Sequence, residues 1–177
     1  MQQIQNFTHV ASTTIFNITN GVSDAAPSAI DTGVNLPEIT FETADIPYMG
    51  TLSVVDQTRV GNLEITADLQ VANPDAQRLI GPGLKEWKIV WVESIVLPNG
   101  LLSVRGFYVY AKGYVSSIPD GEKTPGSQAT GTYKMNCVSY KKIDDIGFVY
   151  YDIDRSQSRL IVNGIDYRAD VNRLLEG

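Results

Sequence analysis

Polar and apolar residues alternate with a period of two along much of this chain. In Glu38-Ile39-Thr40-Phe41-Glu42-Thr43 the even positions are polar and the odd ones mostly apolar. Leu63-Glu64-Ile65-Thr66-Ala67-Asp68-Leu69 repeats the pattern. Successive side chains of a strand point to opposite faces, so both segments predict strands with one face on a core and the other toward water. Two further runs are apolar on both faces. Trp87, Ile89 and Trp91 share one side of a run whose other side carries Val90 and Val92, and Leu101 to Val115 contains Phe107, Tyr108, Val109 and Tyr110. Pro98-Asn99-Gly100 between them predicts a tight turn, and hence a β-hairpin. Tyr133–Lys142 and Phe148–Ile153 also read as strands. A strand apolar on both faces needs cover on its second face, from a partner subunit or from a packed helix.

Helical signals are few. Asn73-Pro74-Asp75 supplies an N-cap, a proline at the first helical position and an acid in the first turn, and Gly81-Pro82-Gly83 ends the segment. A helix of about two turns is expected there. At the C-terminus Tyr167, Val171, Leu174 and Leu175 fall on one helical stripe, with Asp166 near its start and Arg173 near its end. Ser116–Ala129 reads as a surface loop. With no internal repeat and no linker, residues 1–177 form one domain, of which 1–9 are expected to be a mobile N-terminus.

Composition supports the strand reading. Ile and Val total 33 against 12 Leu, and β-branched side chains suit a pleated surface. Apolar residues make up 43% and charged residues 19%, the latter below the roughly 25% of an average soluble chain. This describes a globular protein with an unusually uncharged surface. Twenty acids against fourteen bases give a net charge of −6 and a pI near 4.7. Tight nucleic-acid binding through a basic footprint is not expected. One cysteine, Cys137, and one histidine, His9, exclude an internal disulfide and a Cys/His zinc cage. No signal-peptide pattern opens the sequence and no run is long enough to span a membrane, so membrane insertion is not expected and the sequons at Asn6 and Asn17 read as coincidence. Folding in a cytoplasm is expected.

The search for chemistry returns little, and no catalytic, cofactor or metal site is assigned. His9 has no partner at a catalytic spacing. Cys137, mid-strand between Met135 and Val138, suits an inert thiol. Gly81-Pro82-Gly83 and the glycines from Gly121 to Gly126 lack the context of a phosphate-binding loop. Asp144-Asp145 and the Asp152/Asp154 pair read as exposed turn acids in preference to calcium ligands, because no EF-hand spacing accompanies them. Tyr108, Tyr110 and Tyr114 share one strand face, as do Trp87 and Trp91. Such faces fill a core or subunit interface, or stack sugars as a platform, and the first reading is preferred.

The order of these segments resembles the major tail tube proteins of contractile phage tails and of phage-tail-like (R-type) bacteriocins. The strand Tyr133-Lys134-Met135-Asn136-Cys137-Val138-Ser139-Tyr140-Lys141-Lys142 is followed by Tyr150-Tyr151-Asp152-Ile153-Asp154. Then come Leu160-Ile161-Val162-Asn163-Gly164-Ile165-Asp166 and a terminal helix ending Leu174-Leu175-Glu176-Gly177. Val34-Asn35-Leu36-Pro37-Glu38-Ile39 is similar to the family's Leu-Pro strand. Ile46-Pro47-Tyr48-Met49-Gly50-Thr51 is similar to its hairpin tip, and Gly61-Asn62-Leu63-Glu64 to the entry of the next strand. The resemblance covers roughly residues 10–177. Asn20–Gly33 is longer than usual, and the tip lacks the family's adjacent glycine pair.

The resemblance implies a mainly β fold, a β-sandwich or barrel with a short helix and a C-terminal helix. Six copies would form a ring, the strands joining in a continuous intersubunit β-barrel, and rings would stack into a tube inside a sheath. It implies a structural protein and no enzyme, located in a virion tail or phage-tail-like particle. Its partners would be itself, the tail sheath protein, and baseplate, tube-initiator and terminator proteins. The hairpin spanning roughly Leu36–Val71 would line the channel through Glu38, Glu42, Asp45, Asp56, Glu64 and Asp68, an acidic wall along which DNA slides without sticking. An ordinary solvated strand face is the plainer alternative for these acids. Pro47, Tyr48, Met49 and Gly50 would form a ring-stacking loop, and Trp91, Tyr108, Tyr110 and Tyr140 would lie on intersubunit strands. The competing class is a carbohydrate-binding β-sandwich using the Trp87/Trp91 or Tyr108/Tyr110/Tyr114 face. A hydrolase ranks last, having no nucleophile and base to name.

Overall fold

A computed structural model describes residues 8–30, 32–46, 52–70, 74–96, 99–120, 125–126 and 129–176. The chain is mainly β, with thirteen strands and two short helices among the described residues. In order they are β1 (Thr8–Thr19), β2 (Val22–Ser23), β3 (Ala29–Ile30), β4 (Val34–Asn35), β5 (Phe41–Ile46), β6 (Leu52–Val60) and β7 (Glu64–Gln70). Then follow α1 (Pro74–Gln77), β8 (Leu84–Val96), β9 (Leu102–Ser117), β10 (Thr130–Asp144), β11 (Val149–Asp154), β12 (Arg159–Val162), β13 (Ile165–Asp166) and α2 (Ala169–Glu176).

Eleven strands form one sheet whose main path runs β13-β12-β11-β10-β9-β8-β1-β2. The apolar hairpin expected from the sequence is β8–β9, antiparallel from Leu84↔Tyr114 to Val96↔Leu102. At its tip Gly100 has a φ of 79°, and the Asn99 side chain accepts a 3.1 Å bond from the Leu101 amide. A second hairpin, β12–β13, turns on Asn163 and Gly164 at φ 50° and 81°, the left-handed pair that a two-residue turn requires. Strand β1 lies beside β8, with His9 opposite Ser94. Residues 8 and 9 therefore belong to a paired strand.

Strand β10 organises the rest. Along one edge it pairs with β9. Its other edge is divided, with residues 130–136 on β7 and residues 139–143 on β11. The register slips between Cys137 and Ser139, and the buried positions change parity there, from Tyr133, Met135 and Cys137 to Tyr140 and Asp144. A bulge with one extra residue has this effect, since side-chain direction alternates with every residue. Gly113 lies opposite this point, and a Cβ on it would stand 2.1 Å from the Asn136 carbonyl oxygen. Only glycine permits so close a backbone approach. The path runs from β13 to β2 with its ends unpaired to each other, so among the described residues the sheet does not close into a barrel, which corrects that part of the expected architecture.

The core gathers odd-numbered positions of several strands. Ile15, Leu63, Ile65, Trp87, Ile89, Val109 and Met135 are all fully buried, each such side chain contributing about 1.5–3 kcal/mol. Helix α1 is shorter than expected, four residues, and continues only as a tight turn through the bonds Leu79 N–H to Ala76 O and Ile80 N–H to Gln77 O. Ala76 and Leu79 nonetheless reach the core. In α2 the expected stripe splits: Tyr167 precedes the helix and meets Phe41 at 5.8 Å between ring centroids, while Leu174 and Leu175 are exposed.

The alternating segment Glu38–Thr43 is only partly a strand. Residues 38–40 precede β5, although Ile39 and Phe41 do pack against the core. Strands β5 and β6 form a separate two-stranded sheet, joined at its root by the Gly61 N–H to Thr40 O bond. The chain then returns to the main sheet as β7. The expected lining hairpin over Leu36–Val71 is thus β5–β6 alone.

Candidate functional site

The acids expected along one wall fall on two sheets. On the small one, Glu42 stands directly opposite Asp56. Like charges so placed repel, and the bulge after Phe41 brings Arg59 between them. Its guanidinium lies 3.8 Å from Glu42 and 3.7 Å from Asp56. The Asp56 carboxylate also accepts bonds from the Thr58 hydroxyl at 2.6 Å and the Thr58 amide at 3.0 Å. These two bonds, with Arg59 and Arg168, hold its pKa below the usual carboxylate value against a smaller desolvation effect. Asp45 pairs with Ser53 through its backbone. Glu38 is exposed ahead of β5.

Glu64 and Asp68 lie on β7 in the main sheet. Lys134 approaches Glu64 at 3.7 Å, and the Thr132 hydroxyl donates to Asp68 at 2.6 Å. Both partners come from β10, the strand β7 pairs with. Pro47, Tyr48, Met49 and Gly50 lie outside the described residues.

The four residues expected on intersubunit strands divide by burial. Trp91 is 7% exposed and stacks on Phe107 at 5.2 Å. Tyr140 is 1% exposed, carried inward by the β10 bulge, and burial pushes its hydroxyl pKa up. Tyr108 and Tyr110 lie on the second face of β8–β9, where the Lys88 ammonium sits 5.7 Å from both the Phe16 and the Tyr108 ring centroids. Tyr110 and Tyr114 are exposed. Trp87 and Trp91 cannot form a sugar-stacking platform, because both point into the core.

Of the two acid pairs expected as exposed turn acids, Asp145 is one, but Asp144 and Asp152 are buried. Asp144 is buried and accepts bonds from the Phe148 amide at 2.7 Å, Arg105 at 3.3 Å and the Tyr150 hydroxyl at 3.4 Å. It pins the β10–β11 turn to β9. Asp152 is also buried, between Lys141 at 3.4 Å and Arg159 at 3.1 Å. Asp145 alone of the first pair is exposed. Asp154 caps the β11–β12 turn, accepting from the Ser156 hydroxyl at 2.6 Å and from the Ser156 and Gln157 amides. Burial pushes its pKa up, but those bonds and Arg159 outweigh burial and leave it lowered. Among the described residues no three His, Cys, Asp or Glu side chains converge on a metal-sized site. Cys137 is buried, and desolvation pushes its thiol pKa up to about 12, as an unreactive thiol requires.

Sequence reading missed one constellation. Arg59, Arg155, Arg159 and Arg168 line a single cleft together with Glu42 and Asp154. They come from β6, the β11–β12 turn, β12 and the approach to α2, and no local motif unites them. The Arg155 guanidinium donates to the carbonyls of Val60 and Gly61, fastening the root of the small sheet to the large one.

Exposed apolar side chains concentrate at strand ends: Leu101, Leu102 and Val104 at the β8–β9 tip, Ile146 and Phe148 at the β10–β11 turn. The Asp145 N–H to Gly106 O bond ties the β10–β11 turn to β9. Residues 20–175 match the family model described as Phage tail tube protein FII. No curated protein matches the chain.

Proposed function

We propose a function from one premise: the chain belongs to the phage tail tube protein FII family. Its role is structural, as a self-assembling tube subunit of a virion tail. Beyond that family role, we infer that it is the inner tube subunit of a contractile tail. Six copies form a ring, and rings stack into a hollow conduit for DNA or, in a bacteriocin-like particle, for an effector.

The observation that carries this reading is the detached β5–β6 sheet. Two strands alone are marginal in water, and both outer edges of this pair are unpaired among the described residues. Open edges invite pairing with another chain. Neighbouring copies placing their hairpins side by side would close these edges into one intersubunit barrel. In that arrangement Glu42 and Asp56, which stand opposite each other, face the channel together with Glu38. Glu64 and Asp68 continue the acidic surface, and Pro47–Gly50 meets the next ring. Repulsion between such a wall and DNA phosphates keeps a duplex mobile. The apolar β8–β9 and β10–β11 turns supply further contact surface, and the sheath, baseplate, initiator and terminator proteins are the remaining partners.

Negative-stain microscopy and sedimentation of purified protein test this reading across salt and concentration. Hexamers or hollow tubes are expected. A protein that stays monomeric under all conditions overturns the proposal. Tyr48→Asp is expected to leave the monomer folded and rings formed while impairing stacking.

A further inference from the structure

The arginine-lined cleft between the β5–β6 sheet and the β11–β12 turn encloses about 230 Å³. Its four guanidiniums are not equally satisfied. Arg59 is ion-paired with Glu42 and Asp56, and Arg159 with Asp152 and Asp154, while the buried Arg159 Nε makes no hydrogen bond. Arg155 is occupied by the Val60 and Gly61 carbonyls. Arg168 has no ion pair among the described residues, and its Nε is buried without a hydrogen-bond partner. Guanidinium stays charged at any physiological pH and presents its donors in a fixed fork that fits an oxyanion. A buried N–H without an acceptor costs free energy, and the Arg168 guanidinium, which lines the cleft, has no carboxylate of its own chain paired with it among the described residues.

Charge elsewhere indicates where the acceptor comes from. The whole chain has 20 acids and 14 bases. Setting aside the four arginines and two acids of the cleft lining, with Asp56 and Asp152 that pair with those arginines, 16 acids remain against 10 bases. The rest of the molecule is therefore acidic, and a second copy has more carboxylates than cations to offer the cleft. We propose that the cleft is an oxyanion-binding site whose occupant in the assembled tube is a carboxylate of a second copy of this chain. The contact is heterologous, one patch meeting a different patch on an identical subunit, which is the geometry that closes rings or propagates filaments. It rests on the tube reading above and names how one subunit holds the next.

The test compares the wild type with Arg168→Gln by sedimentation, measuring the protein concentration at which assembly begins. Sodium chloride and sodium phosphate are used at equal ionic strength. Arg168→Gln should raise the threshold about tenfold, the scale of one lost charge-assisted bond. Phosphate should raise the wild-type threshold more than chloride does, and this difference should vanish in the variant. A folded variant assembling at the wild-type threshold overturns the inference and leaves the tube reading standing. So does phosphate binding to wild-type monomer, seen by calorimetry, combined with normal assembly of the variant, because the cleft then holds a free anion. A wild type that never assembles overturns both. If near-ultraviolet circular dichroism shows Arg168→Gln misfolded, Arg168→Lys replaces it, keeping the charge while losing the fork, and a threshold equal to wild type overturns the proposal.

Discussion

The Trp87 indole nitrogen donates a 2.9 Å hydrogen bond to the carbonyl of Leu79, and both residues are fully buried. This bond ties the turn after α1 to the β8 strand and satisfies a carbonyl that the four-residue helix leaves over. Trp87→Phe keeps most of the apolar contact and removes the donor. An unsatisfied buried carbonyl costs about 1–3 kcal/mol, so the urea midpoint should fall by that equivalent. A midpoint within error of wild type would show that the carbonyl finds another partner.

Gly113→Ala should be among the most damaging single-methyl changes. The added Cβ would stand 2.1 Å from the Asn136 oxygen and 2.9 Å from the Cys137 Cα, both backbone atoms that cannot rotate away. The β9–β10 ladder must separate at its bulge, and a loss of about 3 kcal/mol or more is expected, beyond the usual range for a point substitution. Hydrogen exchange should quicken at residues 111–115 and 135–139. Unchanged protection there would contradict the close approach.

Tyr133→Phe should act in the opposite direction. The Tyr133 hydroxyl is buried with no hydrogen-bond partner among the described residues, so removing it relieves desolvation without losing a bond. A gain of about 1 kcal/mol is expected in chemical denaturation. Destabilisation would reveal a partner for that oxygen.

Acid should weaken the fold through Asp56 and Asp154. Both have folded pKa values below the ordinary 3.8. A depressed carboxylate pKa adds stability that is fully present above the unfolded value and is lost as pH falls through the folded value. Melting temperatures should therefore drop below about pH 4, and Asp154→Asn should flatten that limb while retaining a turn-capping oxygen. An identical acid slope in the variant would exclude Asp154 as a contributor.

How far the sequence reached depended on whether a feature was local. The β8–β9 hairpin was legible because period-two alternation and an Asn-Gly turn act within a few residues. The β12–β13 turn at Asn163-Gly164 rests on the same local chemistry. Tyr140 was not legible: alternation counted from Tyr133 puts it on the outer face, and the bulge after Cys137 turns it inward. Asp144 and Asp152 carried the composition of turn acids, yet Arg105, Lys141 and Arg159, contributed by β9, β10 and β12, reach them and make burial affordable. The acids of Glu38–Thr43 and of β7 were recognisable by alternation, but nothing local announces that β7 leaves β5 and β6 for another sheet.

Alone, the sequence determined the class of the molecule: a strand-rich, acidic chain with the segment order of a tail tube protein. Those properties are sums and short periods, and they survive without coordinates. Only the tertiary structure decided how the charge of −6 is distributed, because Arg59, Arg155, Arg159 and Arg168 meet only when the small sheet folds back against the β11–β12 turn. Electrostatic energy depends on distance in space, and separation along the chain says little about it.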